Sequence, residues 1–317
     1  MSEKKSVVIT SAVRTAIGSL GGTLKNIPAY KLGSSVISSA IKKSNLKPSE
    51  IDEVIMGHVL TGGAGQNPAR QAAIESKLPK EVPSYVVNQV CGSGLRSIAS
   101  GYHSILSDNS NIVIAGGQES MSQAPHVVHL RNGKKLGDTE LVDSMIKDGL
   151  WDAFNGYHMG MTAENIAQKW QINRMDQDKF AYESQKKASD AQKKGKFKEE
   201  VLPITILNRN NEIKVDQDEY IKHDMNREGL EKLRPAFIPD GTITAGNASD
   251  INDGAAIVLL MSANNAKKRG LKPMARIASF STAGVDPKYM GIGPVPASRK
   301  ALKRAGWKVL DLDLIES

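Results

Sequence analysis

The chain has 317 residues, 40% hydrophobic and 24% charged, enough for one large core or about two domains. Its one cysteine excludes a framework of internal disulfides and suits a reducing, cytoplasmic setting. No stretch approaches the roughly 18 apolar residues of a membrane span, and although the net charge is +8, aromatics make up only 5% and do not interleave with the basic residues, which argues against a base-stacking nucleic-acid platform.

Met1-Ser2-Glu3-Lys4-Lys5 runs directly into a strand-like Ser6-Val7-Val8-Ile9-Thr10, with no cleavable apolar core and no Arg-rich transit pattern. Leu32, Val36, Ile37, Ala40 and Ile41 keep helical spacing, and Glu53-Val54-Ile55-Met56-Gly57 reads as the next strand. The apolar run Ser84 to Val90 breaks at Cys91-Gly92-Ser93-Gly94. Beyond it Leu95, Ile98, Tyr102, Ile105 and Leu106 predict one buried helix face, followed by the strand Asn111 to Ala115 ending at Gly116-Gly117. This alternation predicts a mostly parallel layered α/β fold.

Residues 121–248 are richer in polar turns, Met and charge, and read as an inserted, lobe-like domain. Within it, Asp176 to Glu200 forms a helical pattern whose inner stripe is Phe180, Ala181, Ser184, Ala188 and Ala191. Lys186, Lys187, Lys193, Lys194, Lys196 and Lys198 then mark a solvated face. Alternation resumes with the strand Gly254 to Leu260, the strand-like Ala275 to Phe280, a helix from about Pro296 to Ala305 and a strand-like Asp311 to Ser317. No tandem repeat of short period is visible.

Cys91 is the residue with the clearest chemistry. A thiol at a strand-to-helix corner faces the unpaired N–H groups of the first helical turn, whose partial positive charge favours a thiolate. The competing reading is a small buried hydrophobe in a glycine-rich packing turn. His126 and His129 at i, i+3 spacing would share a helix face, but no third ligand lies nearby, so no metal site is expected. His158, in Gly156-Tyr157-His158-Met159-Gly160-Met161-Thr162, reads alone as a hydrogen-bonded packing histidine. Gly241 to Asp250 could expose N–H groups to an anion but lacks the lysine of a nucleotide triphosphate loop.

The segment Val87-Asn88-Gln89-Val90-Cys91-Gly92-Ser93-Gly94 closely resembles the acyl-accepting cysteine segment of thiolases. The resemblance continues, in order, through Ala115-Gly116-Gly117-Gln118-Glu119-Ser120-Met121-Ser122, Tyr157-His158-Met159-Gly160, Leu233-Arg234-Pro235-Ala236-Phe237, Thr244-Ala245-Gly246-Asn247-Ala248-Ser249 and Met290-Gly291-Ile292-Gly293-Pro294-Val295-Pro296-Ala297. The His-Met turn and the Gly-Asn-Ala-Ser segment look like those of short-chain acetyl-CoA acetyltransferases.

That resemblance implies a five-layer αβαβα fold with two core halves. The first half would be residues 1–120 and 249–270, the inserted coenzyme A-binding loop domain 121–248, and the start of the second half 271–317. It implies that Cys91 carries the acyl group, and that Leu150, His158, Met159, Phe237, Ala245 and Ser249 line the path of coenzyme A. Lys222 falls where many relatives carry Arg near the adenine nucleotide, and Gly229 where some carry Ser. The substrates implied are acetyl-CoA, acetoacetyl-CoA and CoA, with no tightly bound cofactor, in a tetramer or dimer. The family continues past the Glu316-Ser317 equivalent into a Gly-His-Pro segment and a second reactive cysteine. None of His58, His103, His126, His129, His158 or His223 matches that histidine, so the expectation is negligible turnover by this chain alone, with a second polypeptide as one possible source of the missing groups. The alternative is a non-catalytic coenzyme A-binding or interaction remnant.

Overall fold

The computed structural model describes residues 6–208 and 211–316; Met1 to Lys5 and Ser317, at the outer limits of the two expected core halves, lie outside the described residues. In chain order the strands are β1 (Val7–Thr15), β2 (Gly18–Ser19), β3 (Glu53–Gly57), β4 (Ser84–Val87), β5 (Ile112–Ser120), β6 (His126–Val127), β7 (Val142–Asp143), β8 (Trp151–Asp152), β9 (Tyr157–His158), β10 (Val201–Leu202), β11 (Ile204–Asn208), β12 (Asn211–Val215), β13 (Asn252–Ser262) and β14 (Ala275–Arg276). The helices are α1 (Ala29–Lys43), α2 (Pro68–Glu75), α3 (Ser93–Leu106), α4 (Gly160–Lys169), α5 (Arg174–Lys193), α6 (Arg227–Glu231), α7 (Ala263–Lys268) and α8 (Pro294–Ala305). Among the described residues no helix is long and apolar enough to cross a membrane.

The chain forms two compact units. The larger comprises Met1–Leu150, Ser189–Ile221 and Asp250–Arg276, and the smaller Trp151–Ala188, Lys222–Ser249 and Ile277–Ser317.

The larger unit is built on a sheet ordered β10-β1-β13-β5-β3-β4, with β2 paired to β13 and β14 to β1. Its strands are apolar almost without interruption because both faces are covered. Val54, Met56, Ile112, Ile114, Ile257, Leu259 and Met261 face α1 and α2 and pack with Leu32, Val36, Ile37, Ala69 and Ala72. The alternate residues Ile55, Val113, Ala115 and Leu260 are also buried, and a side chain added at position 101 of α3 would meet Val113, Ala115 and Leu260. Each large aliphatic side chain enclosed in this way contributes roughly 1.5–3 kcal/mol. Helix α1 follows from its i, i+4 apolar spacing and from Lys42 and Lys43 in its last turn, where cations suit the helix dipole.

Six expectations change. The sheet is mixed: β13 runs antiparallel to both β1 and β5, while β3 is parallel to β5 and β4. The buried face of α3 is Ser93, Ser97, Gly101 and Ile105, and Leu95 is 77% exposed, because the helix lies too close to the sheet for large side chains between them. On α5 the inner positions include buried Asp178 and half-buried Gln185, with Phe180 71% exposed; the six lysines are solvated as read. The strand expected over Ala275 to Phe280 is only β14. Asp311 to Glu316 forms no strand, since its alternating apolar residues find no backbone to pair with and Leu314 is exposed. His126 lies in β6 and His129 in the following loop, so they share no helix face.

In the smaller unit α4, α5, α6 and α8 accompany the short ribbon of β8 and β9. Two acidic side chains, Glu164 and Asp178, organise it from inside.

Candidate active site

Strands β3 and β4 end side by side, with Gly57 opposite Val87 and the His58 N–H donating to Val87 C=O at 3.1 Å. The chain then turns tightly into α3. Gln89 N–H donates to Ser93 Oγ at 2.8 Å, Ser93 Oγ donates to Val90 C=O at 2.5 Å, and Gly92 N–H donates to Gln89 C=O at 3.1 Å. Val90 has φ of +48°, the left-handed region, where a β-branched residue is strained by about 1–2 kcal/mol. The turn leaves Cys91 exposed, two residues ahead of α3.

The first turn of α3 is pressed onto the end of β3. A Cβ at Gly57 would stand 2.5 Å from the Ser93 carbonyl carbon and 2.6 Å from Gly94 N, so only glycine permits this approach. Ser97 Oγ lies 2.6 Å from Gly116 C=O of β5 and 2.7 Å from Gly94 C=O, joining the helix to the neighbouring strand. The thiol therefore sits at the carboxyl ends of adjacent parallel strands, where ligands of open α/β sheets bind. The buried-hydrophobe reading of Cys91 does not hold, since the residue is exposed.

In the smaller unit the His158 ring stacks on Phe237, with centroids 5.0 Å apart and planes at 24°. Gly160 N–H donates to His158 Nδ1 at 3.0 Å, so Nε2 carries the proton and presents a donor. Burial pushes the pKa of His158 below the ordinary imidazole value, which keeps the ring neutral. A Cβ at Gly160 would fall 2.1 Å from the Phe237 ring, so this glycine makes room for the stack. Met159, at the N-cap of α4, is half-buried.

The segment 241–249 is fastened by carboxylates. Glu164 of α4, 7% exposed, accepts from Thr242 N–H at 3.0 Å, Ile243 N–H at 2.9 Å and Thr242 Oγ1 at 3.1 Å. Asp178 of α5 accepts from Asn247 Nδ2 at 2.9 Å and from Arg174 Nε at 2.6 Å; Asn247 Oδ1 in turn accepts from Thr244 N–H at 2.8 Å. Gly246 N–H goes to Thr244 Oγ1 at 3.1 Å. These N–H groups are thus turned inward, and the anion-cradle reading of the segment fails. Ala245 and Ser249 are left exposed.

Beside this segment a cavity of about 390 Å³ is lined by Lys222, His223, Asp224, Met225, Asn226, Gly229, Leu230, Leu233 and Gly246. Its floor is apolar and its rim charged. Lys222 N–H donates to Gln185 Oε1 at 2.9 Å, and Arg174 Nη2 holds Leu230 C=O at 2.5 Å.

Of the residues expected from sequence, Cys91 and half-buried Leu150 belong to the larger unit. His158, Met159, Lys222, Phe237, Ala245 and Ser249 belong to the smaller. There His158 and Phe237 meet, and Lys222 lines the cavity together with Gly229 and Gly246. Sequence analysis did not single out Glu164 or Asp178, since nothing in helical spacing alone distinguishes a buried carboxylate from a solvent-facing one. Among the described residues no three His, Cys, Asp or Glu side chains form a metal-holding group.

Comparison with known proteins places these features in one family. Residues 7–264 match the thiolase N-terminal domain and residues 271–317 the thiolase C-terminal domain. The chain is 56% identical over 310 residues to the acetyl-CoA acetyltransferase of Paracoccus denitrificans, covering 98% of this chain and 79% of the relative. It is 49% identical to the cytosolic acetyl-CoA acetyltransferase of Mus musculus, with the same coverage of each. The crystal structure of the Bacillus anthracis acetyl-CoA acetyltransferase superimposes with a TM-score of 0.96 at 42% identity, over 99% of this chain and 80% of that one. With matches covering nearly its whole length and the fold reproduced, the chain belongs to the thiolase family.

Proposed function

We propose that the chain is an acyltransferase of the thiolase type that forms acetoacetyl-CoA from two acetyl-CoA molecules, or cleaves it in reverse, through an acyl group carried on Cys91. The observation that carries this reading is the exposed Cys91, held at the strained Val90 turn ahead of α3. Relatives 52–56% identical bear the name acetyl-CoA acetyltransferase, which supports the choice of acyl donor.

The thiolate attacks the thioester carbonyl of acetyl-CoA, the C–S bond to coenzyme A breaks, and coenzyme A leaves as a thiolate that takes a proton. The product, acetyl-Cys91, is itself a thioester and stays activated, which a serine ester would not. The Cys91 N–H is a candidate donor to the oxyanion that forms in this step. A second acetyl-CoA then loses an α-proton, its carbanion attacks the acetyl carbonyl, and the Cys91 thiolate departs as acetoacetyl-CoA forms. That proton needs an acid/base other than Cys91, the one cysteine of these 317 residues.

Leu150, His158, Met159, Lys222, Phe237, Ala245 and Ser249 are proposed to line the coenzyme A path, with 121–248 as the inserted loop domain. The protonated Nε2 of His158 suits an amide or thioester oxygen, and the cavity beside Lys222, lined by Met225, Leu230 and Leu233, suits an adenine nucleotide, with the Lys222 ammonium available to its phosphates. The test is intact-protein mass spectrometry after incubation with acetyl-CoA. One acetyl group should appear on Cys91 and be absent from Cys91→Ala. No acetylation of the wild-type chain, or the same adduct on Cys91→Ala, overturns the assignment.

A further inference from the structure

Outside the nucleophile turn, the larger unit buries one imidazole that the mechanism above does not use. His58 is 2% exposed and directly follows β3. Its Nε2 lies 3.3 Å from Glu119 Oε1, and its Nδ1 has no hydrogen-bond partner among the described residues. Among the described residues, Glu119 is the polar partner of the ring. The same carboxylate accepts the next two backbone N–H groups, Val59 at 2.8 Å and Leu60 at 3.1 Å.

These contacts join three strand ends. Glu119 stands near the end of β5, two residues past Gly117, which is opposite Gly57 of β3, and His58 N–H reaches Val87 C=O at the end of β4. β5, β3 and β4 are adjacent and parallel, and the turn carrying Cys91 continues from β4. That turn rests on β3 through the contact between Gly57 and Ser93, one residue before His58. A shift of the β3 end is therefore passed to the thiol with no intervening flexible segment.

We propose that His58 and Glu119 are positioning residues for Cys91: the pair locks the ends of β5, β3 and β4 and so holds the nucleophile turn in the geometry for acyl transfer. This rests on Cys91 as the acyl carrier. Neither side chain touches the acyl group. Their effect is on where Sγ stands, and misplacement of a reacting group by about 1 Å is enough to cost on the order of 10²-fold in rate.

The experiment measures three quantities in His58→Ala, His58→Gln, Glu119→Ala and Glu119→Gln: the rate of Cys91 acetylation at saturating acetyl-CoA, the half-saturating acetyl-CoA concentration, and the rate of iodoacetamide alkylation, with melting temperature alongside. His58→Ala and Glu119→Ala should slow saturated acetylation by about tenfold or more, with half-saturation within about twofold. His58→Gln, whose amide can offer an N–H toward Glu119, should recover to within about threefold of wild type. A fall in melting temperature with unchanged acetylation overturns the proposal, as does a His58→Gln variant no better than His58→Ala. If His58→Ala does not fold, the Glu119→Gln rate decides: wild-type acetylation there also overturns it. Alkylation separates the two readings, because a wild-type chain that alkylates but never acetylates refutes the acyl-carrier role, whereas one that does both while His58→Ala matches it refutes only the positioning role.

Discussion

The two units hold their functional residues by different physical means. In the larger, the Cys91 turn is seated by close approach: α3 meets the sheet through Ser93, Ser97 and Gly101, and β3 admits it only because residue 57 lacks a side chain. In the smaller, the segment 241–249 is suspended from buried carboxylates, Glu164 on α4 and Asp178 on α5. Contact by shape tolerates no added atom, whereas contact by charge tolerates no lost one. On the function proposed above, the first would serve a nucleophile whose position decides a rate, and the second a surface for a long flexible substrate.

The largest effect expected from breaking this contrast is at Glu164. Glu164→Ala leaves two backbone N–H groups and a hydroxyl without their acceptor, at a cost of about 2–4 kcal/mol. Trp151, Trp170 and Trp307 all lie in the smaller unit, so denaturant unfolding followed by tryptophan fluorescence should register the loss, with Cys91 alkylation unchanged. The reciprocal substitution is Gly57→Ala. Its Cβ forces Ser93 away from β3, costing about 1–3 kcal/mol, and should slow Cys91 alkylation while leaving the tryptophan signal in place.

A smaller separation is expected on acidification. His158 has its native pKa pushed down by burial, so the folded smaller unit binds fewer protons than the unfolded chain; stability is lost as pH falls from the ordinary imidazole range through the lowered value. Glu219, in the larger unit, is opposed by burial, but the Thr23 hydroxyl and the N–H groups of Ser19 and Thr23 outweigh it and hold its pKa below the ordinary carboxylate value. Its contribution is complete above that value and lost only as pH falls through the lower one. Hydrogen exchange should therefore quicken around 157–162 at milder acidity than around 17–24. The opposite order would contradict the assignment of these two groups.

Much of the fold was legible because its signal is apolar. Glu53 to Gly57, the α1 stripe and the core of β13 follow from continuous or i, i+4 hydrophobic runs, and Cys91 from the break between a strand and a helix. The face of α3 was misread because serine hydroxyls can be buried when carbonyls receive them, as Gly116 C=O receives Ser97. Periodicity counts such residues as solvent-facing. Asp311 to Glu316 was misread for the converse reason: alternation describes the side chains of a strand but does not provide the neighbouring backbone that makes one. The inward carboxylates of Glu164 and Asp178 were invisible because their partners, backbone N–H groups for Glu164 and the Asn247 amide for Asp178, lie about 70 to 80 positions later.

The antiparallel β13 has a consequence for how this molecule is made. It lies between β1 and β5 and pairs with both over most of its length, yet it is synthesised after both of them. At usual elongation rates, roughly ten to thirty seconds separate the emergence of Cys91 from that of Ser262. Through that interval β1 and β5 wait without their common neighbour, and the surface to which α3 docks through Gly101 lacks Leu260. The N-terminal half of the sheet therefore cannot finish during its own synthesis, and ribosome speed and chaperone access along residues 121–251 bear on the yield of a chain whose Cys91 is already out.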